Sequence, residues 1–310
     1  MQKNSPLIGA ALLLITTLSW GGMFPVAKNA LALLDPYYMT FIRYGLAALL
    51  FALLLAVREG KSAFALKGQA LTLFFLGTLG FAGFNLLVFA ALVHTQPEHG
   101  AVVMATMPMI TVLMSWLLRG IRPQLFTLIT VVLAFAGVFL VITGGHPARA
   151  FGGGAASWDL LFLAGAFCWV CYTMGAQRFP DWSPLRYTAI TCAFGTLAIG
   201  AVTLLLTANN HITAPTLDTV VSLRWTIAYL VIPGALVAVL SWNLGIRMLG
   251  AVNGILFINF VPITAFAIGV ALGHPISATE VVGALLVIAA LIANNLYLRR
   301  LHRRADMTYL

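Results

Sequence analysis

Residues 96–111, QPEHGAVVMATMPMIT, decide how this chain is read. The stretch opens polar, becomes a small-residue apolar run, and meets Pro108 about two helical turns later. A proline inside a helix removes one N–H donor and crowds the preceding turn, so a bend is predicted there. Residues 251–264, AVNGILFINFVPIT, carry the same pattern. Gly100 matches Gly254 and Pro108 matches Pro262, both at a separation of 154 residues. The chain therefore reads as two halves, each built around one kinked segment.

Composition says what medium those halves occupy. Of 310 residues, 61% are hydrophobic and 8% charged, and the mean hydropathy is +1.00. A soluble domain carries about a quarter charged residues, so a soluble globular fold is excluded. Ten apolar segments fall at 7–27, 36–57, 70–93, 100–118 and 124–142, then at 158–177, 184–206, 224–248, 251–272 and 278–298. Each is long enough to cross a bilayer, which takes about 20 apolar residues as helix. The predicted fold is an all-α polytopic membrane protein with ten transmembrane helices. Residues 1–142 form a first five-helix repeat, 143–157 a glycine-rich linker, 158–298 a second repeat, and 299–310 a basic tail. Further matches support the duplication: Trp20 with Trp169, and Pro36 with Pro184. Five is odd, so the second repeat must enter the membrane inverted, an architecture common among secondary transporters.

The net charge of +9 fits this topology without any nucleic acid. With the N-terminus in the cytoplasm, thirteen of the 17 lysines and arginines lie inside, among them Arg58, Arg119, Arg178, Arg247 and the tail arginines. Lys28, Arg149 and Arg224 lie outside, and Arg43 falls within the second segment. That bias predicts both termini in the cytoplasm. The first apolar run has no small-residue cleavage site and is read as a retained helix rather than a signal peptide.

Few residues inside the segments could carry chemistry. Asn85, Asn243, Asn253 and Asn259, with His99 at the start of the fourth segment, can either tie helices together or contact substrate. His99 and Asn253 occupy matching positions in the halves. Trp20, Trp169, Tyr172 and Trp242, with Met104 and Met107, could line an adaptable pocket for organic solutes or simply fill the bundle. Arg43 is a charge inside the membrane, with no counterpart in the second half, where Thr191 stands. It can snorkel outward or pair with Asp35, Glu98 or a helix C-terminus. Glu98 beside His99, near His94, is a candidate for coupling transport to protons. No histidine has zinc spacing, so no metal is expected. Cys168 and Cys171 fit C-x-x-C but lie mid-membrane, where they read as small packing residues flanking Trp169. Glu280 reads as a helix N-terminal residue favoured by the dipole.

The phrases SWGGMFPVAK (19–28), FIRYGLAALLF (41–51), EHGAVVMATMPMITVL (98–113), NGILFINFVPITAF (253–266) and EVVGALLVIAAL (280–291) occur in that order. Together they resemble the EamA-type, ten-helix members of the drug/metabolite transporter superfamily, over nearly the whole chain. The resemblance implies a secondary transporter in the bacterial inner membrane, which exports amino acids, related metabolites or drugs and needs no cofactor. It also implies a cavity between the repeats, assigning substrate contacts to Trp20, Asn85, His99, Met107, Trp169, Tyr172, Asn243 and Asn253. Pro108 and Pro262 are the expected hinges, and Glu98 and Arg43 the candidate coupling residues. The chain departs from the family after the fourth segment, where Arg119-Gly120 replaces the usual Gly-Glu. Expected partners are a small-molecule substrate, the bilayer, and protons as a candidate coupling ion. A channel-like permease is the alternative reading. A membrane-embedded enzyme is less favoured, because no nucleophile–base set or metal constellation converges.

Overall fold

The computed structural model describes residues 6–120, 122–146, 155–249, 257–258, 260–273 and 277–308. Among these the secondary structure is helical, without strands. The long helices are α1 (Pro6–Ala30), α2 (Pro36–Glu59), α3 (Ala70–His94), α5 (Leu125–Thr143), α6 (Ala155–Gly175), α7 (Pro184–Ala208), α8 (Arg224–Leu249) and α10 (Ala278–Thr308). Between α3 and α5 lies a broken span of two arms, α4a (Pro97–Ala105) and α4b (Met107–Arg119), bent by 43°. A shorter apolar helix, α9 (Phe260–Ala271), precedes α10. The described residues thus hold eight helices of membrane-spanning length and a bent ninth. Of the expected span at 251–272, residues 251–256 and 259 lie outside the described set, and so do Asn253, Asn259 and Gly254.

Local chemistry explains where these helices begin and end. Proline is tolerated in a first turn, where its missing N–H has no partner to lose, and α2, α4a and α7 all begin on proline. Asp35 caps α2 by accepting the Tyr37 N–H at 2.8 Å, and Ser183 caps α7 by accepting from Arg186 at 2.9 Å. Gly120 closes α4b in the left-handed region at φ 67°, a conformation that costs glycine little. The bend in α4 has the same logic. Pro108 sits in the first turn of α4b, so the break falls just before it, at Thr106.

Packing follows a regular pairing. α5 lies on α10, α2 on α7, α1 on α8 and α9, α3 on α6, and α4a on α9. Small residues set the closest approaches, as they do between membrane helices generally. Gly137 and Gly283 face one another so closely that a Cβ on either would stand 2.6 Å from the other's carbonyl oxygen. The pairs cross in opposite directions: Trp20 and Phe24 of α1 meet Trp169 and Phe162 of α6. Tyr38 of α2 reaches Thr207 of α7, and Phe126 of α5 meets Tyr297 of α10. Leu7, Leu71 and Leu117 are at least 77% exposed, which gives the bundle an apolar outer surface fit for lipid.

Two helices carry π-helical segments, Thr78–Gly83 in α3 and Ile232–Val237 in α8. Their starts are 154 residues apart, the separation of Pro108 and Pro262. Pro233 supplies a cause in α8, since its missing N–H cannot close the normal ladder. In α3 there is no proline, but Gly77, Gly80 and Gly83 allow neighbours to press against the backbone. A Cβ on Gly77 would lie 2.3 Å from the Thr191 carbonyl oxygen, and one on Gly80 would lie 2.4 Å from the Tyr172 ring.

Candidate functional site

Aromatic rings gather where the α4 break meets α1, α6 and α8. The Trp20 ring lies 6.0 Å from Trp169, edge-on, and 5.4 Å from Trp242. Trp169 in turn meets Phe84 at 5.4 Å and Tyr172 at 5.2 Å. Beside them is a cavity of about 50 Å³ lined by Met107, Pro108, Thr111, Trp169, Val170, Thr173, Trp242 and Ile258. A water molecule's share of liquid volume is about 30 Å³, so the cavity has room for a water or two but not for an organic solute. The rings are nevertheless suited to one. Flat apolar faces with few hydrogen-bonding demands accept varied ligands once neighbouring helices part. Four of the expected contact residues, Trp20, Met107, Trp169 and Tyr172, come together here.

Of the other expected contacts, Asn85, His99 and Asn243 do not line this cavity, and Asn253 lies outside the described residues. Asn85 belongs to a buried polar hub around Arg43, which is 2% exposed and does not snorkel to a surface. Its guanidinium donates to the Leu230 carbonyl at 3.0 Å, the Gly234 carbonyl at 3.2 Å and the Asn85 side-chain oxygen at 3.0 Å. The Tyr44 hydroxyl donates to the same Asn85 oxygen at 3.1 Å, while the Asn85 amide donates to Phe81 O at 2.9 Å. Phe81 and Gly234 sit in the two π segments, so one arginine and one asparagine connect both helix breaks. A planar five-donor fork suits this bridging, and the Tyr44 and Phe89 rings lie 4.8 and 5.6 Å from its carbon centre. Asn243 donates to Thr188 Oγ1 at 3.2 Å, tying α8 to α7.

His99 stands at the end of the bundle that carries His94, here called the histidine end. It does not line the tryptophan cavity. Its Nδ1 lies 2.9 Å from Asp159 of α6, and its Nε2 lies 3.4 Å from Glu280 of α10. Glu280 does two jobs. Its other oxygen accepts the Ser277 N–H at 2.7 Å, and its own N–H reaches the Ser277 hydroxyl, a reciprocal cap at the start of α10. Asp159 is wholly buried, and its second oxygen lacks a hydrogen bond. Sequence reasoning missed Asp159, although it is the sole acidic residue of segment 158–177. Its place at the segment's edge carries no sequence signal of a contact with His99, 60 residues away. Glu98 faces α9, where a Cβ on Gly269 would stand 2.0 Å from its carboxylate oxygen. A Cβ on Gly100 would stand 2.6 Å from the Phe24 ring and 2.9 Å from the Phe162 ring. Among the described residues, Glu98, His99 and Gly100 are thus tightly packed at this end of the bundle.

Among the described residues no group of three or more His, Cys, Asp or Glu side chains is arranged to hold a metal ion. His94 stacks on Trp158 with ring centroids 3.9 Å apart. Cys168 packs on α3, where a Cβ on Gly83 would meet its sulfur at 3.1 Å. At the opposite end, which carries Arg58, Arg178 and Arg247, a cavity of about 530 Å³ opens between α3, α4b and α6, with Leu76, Met114, Met174 and Arg178 in its wall. Pro262 is buried within α9, two residues from its start.

A model of the EamA-like transporter family matches residues 7–143 and again 156–296. The chain is 40% identical to the "Uncharacterized transporter YrdR" of Bacillus subtilis (strain 168) over 304 residues, covering 97% of this chain and 95% of that one. It is 32% identical to the "Uncharacterized transporter YyaM" of the same organism over 270 residues, covering 86% and 87%. Among solved structures, one described as the crystal structure of a protein superposes with a TM-score of 0.65 over 95% of this chain and 97% of that one. At 19% identity, that likeness concerns the fold alone.

Proposed function

Because the chain belongs to the EamA-like transporter family, we propose that it is a secondary transporter that exports a small organic metabolite by alternating access. The substrate class is an amino acid, a related metabolite or a drug, and the membrane is the bacterial inner membrane. The observation that carries this reading is the aromatic cluster of Trp20, Trp169 and Trp242 at the break before Pro108. A ligand-sized aromatic site collapsed to about 50 Å³, placed where a helix is already broken, needs only helix separation to open.

The architecture proposed for this mechanism is two inverted five-helix repeats with both termini in the cytoplasm. Three features support it. Matching helices cross antiparallel, α1 with α6, α2 with α7 and α5 with α10. The π segments recur at the spacing of the paired prolines. The family model matches once in each half. The excess of arginine at the opposite end supports a histidine end that faces outside. Tight packing around Glu98, His99 and Gly100 and a cavity at the arginine end suit a protein that loads from the cytoplasm.

The test is a counterflow screen in proteoliposomes over amino acids, nucleobases, sugars and cationic drugs, with and without a pH gradient. Saturable counterflow with at least one class is expected. Rapid non-saturating flux would replace the carrier by a channel-like permease.

A further inference from the structure

We propose that His99, Asp159 and Glu280 form a binding site for one exchangeable proton, which locks the histidine end shut. The argument is a count of hydrogens. Both imidazole nitrogens of His99 face carboxylate oxygens, at 2.9 Å and 3.4 Å. Carboxylates accept and do not donate, and a neutral imidazole has one N–H and one bare nitrogen. With neutral His99 and two ionised carboxylates, one of the two contacts sets lone pair against lone pair. Both contacts become hydrogen bonds only when the trio holds a second hydrogen, on the imidazole or on a carboxyl. The structure brings all three groups together, with His99 8% and Asp159 0% exposed and the Glu280 side chain 18% exposed, in reach of water.

The trio joins three helices, α4a, α6 and α10. When the second hydrogen passes to water at the histidine end, one joint turns repulsive and α10 or α6 is released from α4a. Reclosure takes a proton back. Acid therefore holds this end closed and alkali favours its opening.

Besides His146, which follows Gly145 where the end of α5 approaches Thr279 of α10, three other titratable groups lie at this end of the bundle. Glu98, on α4a itself, points at Gly269 of α9. His94, at the end of α3, is stacked on Trp158, next to Asp159. Lys28 of α1 donates to the carbonyls of Leu92, Val93 and Thr95, and so caps α3 instead of reaching the trio. None of the three lies between His99 and its two carboxylates.

The inference rests on the transport reading for its purpose, since a lock matters only if this end opens, but it can be measured without knowing the substrate. Nitroxide labels would be placed at Leu33, after α1, and Ala278, at the start of α10, in a variant with Cys168, Cys171 and Cys192 changed to alanine. In lipid nanodiscs, the label separation of this parent should lengthen by several ångströms from acid to alkaline pH. Over the same interval, imidazole ¹⁵N spectra should show the trio losing one hydrogen. Glu280→Gln is the diagnostic variant. Glutamine preserves the reciprocal cap with Ser277, and its amide can donate to Nε2 of a neutral imidazole while Nδ1–H serves Asp159. Its separation should stay short at every pH. A parent separation indifferent to pH, or a Glu280→Gln variant that widens like the parent, overturns the proposal. Loss of all counterflow with pH-dependent widening intact would instead remove the transport reading and leave the lock.

Discussion

Asn85→Leu tests whether the Arg43 hub is structural. Leucine has the same number of side-chain heavy atoms and the same branch point, so the change removes polar function without opening a void. It takes the acceptor from two buried donors, the Arg43 Nη1 group and the Tyr44 hydroxyl, whose residues are 2% and 3% exposed. Orphaning a buried donor costs about 1–3 kcal/mol, which gives about 2–6 kcal/mol for the pair. In bilayers the scale is smaller, with single hydrogen bonds averaging about 0.6 kcal/mol, because the unfolded chain also finds partners. A loss of about 2–3 kcal/mol is therefore expected, read by reversible SDS unfolding in mixed micelles. The second variant sharpens the test. Tyr44→Phe removes one of the two orphaned donors, so Asn85→Leu/Tyr44→Phe should be about 1 kcal/mol more stable than Asn85→Leu alone. If the two changes add as independent losses, or if Asn85→Leu costs less than about 0.5 kcal/mol while abolishing counterflow, Asn85 is a substrate contact and the reasoning fails.

Other residues give sharper or simpler outcomes. Gly77→Ala forces a Cβ onto the Thr191 carbonyl, which is backbone and cannot swing aside; folded yield on size-exclusion chromatography should collapse. Gly45→Ala, with nothing within 4 Å, should leave it unchanged. Trp169→Ala removes the ring shared by Trp20, Phe84 and Tyr172, and should weaken half-saturation in counterflow by about tenfold or more, with assembly retained in the bilayer. Pro108→Ala allows α4a and α4b to join as one ladder; the 43° bend should shrink and exchange flux fall, and unchanged flux would exclude a hinge there.

Much of this molecule was legible because membranes punish exceptions. Apolar runs, prolines at helix starts and the recurrence of Pro108 at Pro262 all survive in one dimension. The break in α4 fell at Thr106 rather than at the proline, since proline tolerates a first turn better than a middle one. The Arg43 partners could not be read, because two of them are backbone carbonyls delivered by another helix. The π segment of α3 was hidden for a similar reason. Glycine in a membrane helix is common, and only the neighbours pressed against Gly77 and Gly80 give it meaning. His99 was singled out from the first, but its partners lie 60 and 181 residues away, and no spacing rule joins them.

The two halves share geometry without sharing chemistry, and that difference bears on mechanism. Arg43 in α2 and Thr191 in α7 occupy matching positions, and each faces a helix break contributed by the other half. At α8 the contact is an arginine fork on carbonyls. At α3 the Thr191 carbonyl packs against bare Gly77, while the threonine hydroxyl turns back to Tyr187 O at 2.6 Å. The first contact is directional and charge-assisted. It resists separation, because carbonyls parted from a guanidinium in hydrocarbon find no water. The second is van der Waals contact between surfaces that can slide. If the repeats rock against each other, sliding is easier at α3 against α7 than at α2 against α8. Asn85 carries the α8 contact on to Phe81 in the α3 break, so movement of α3 pulls on the Arg43 hub. The α2–α8 contact then acts as the fixed frame and the α3–α7 contact as the moving seam. Arg43→Met should therefore loosen the frame and broaden nitroxide separations across α2 and α8, while those across α3 and α7 keep their width.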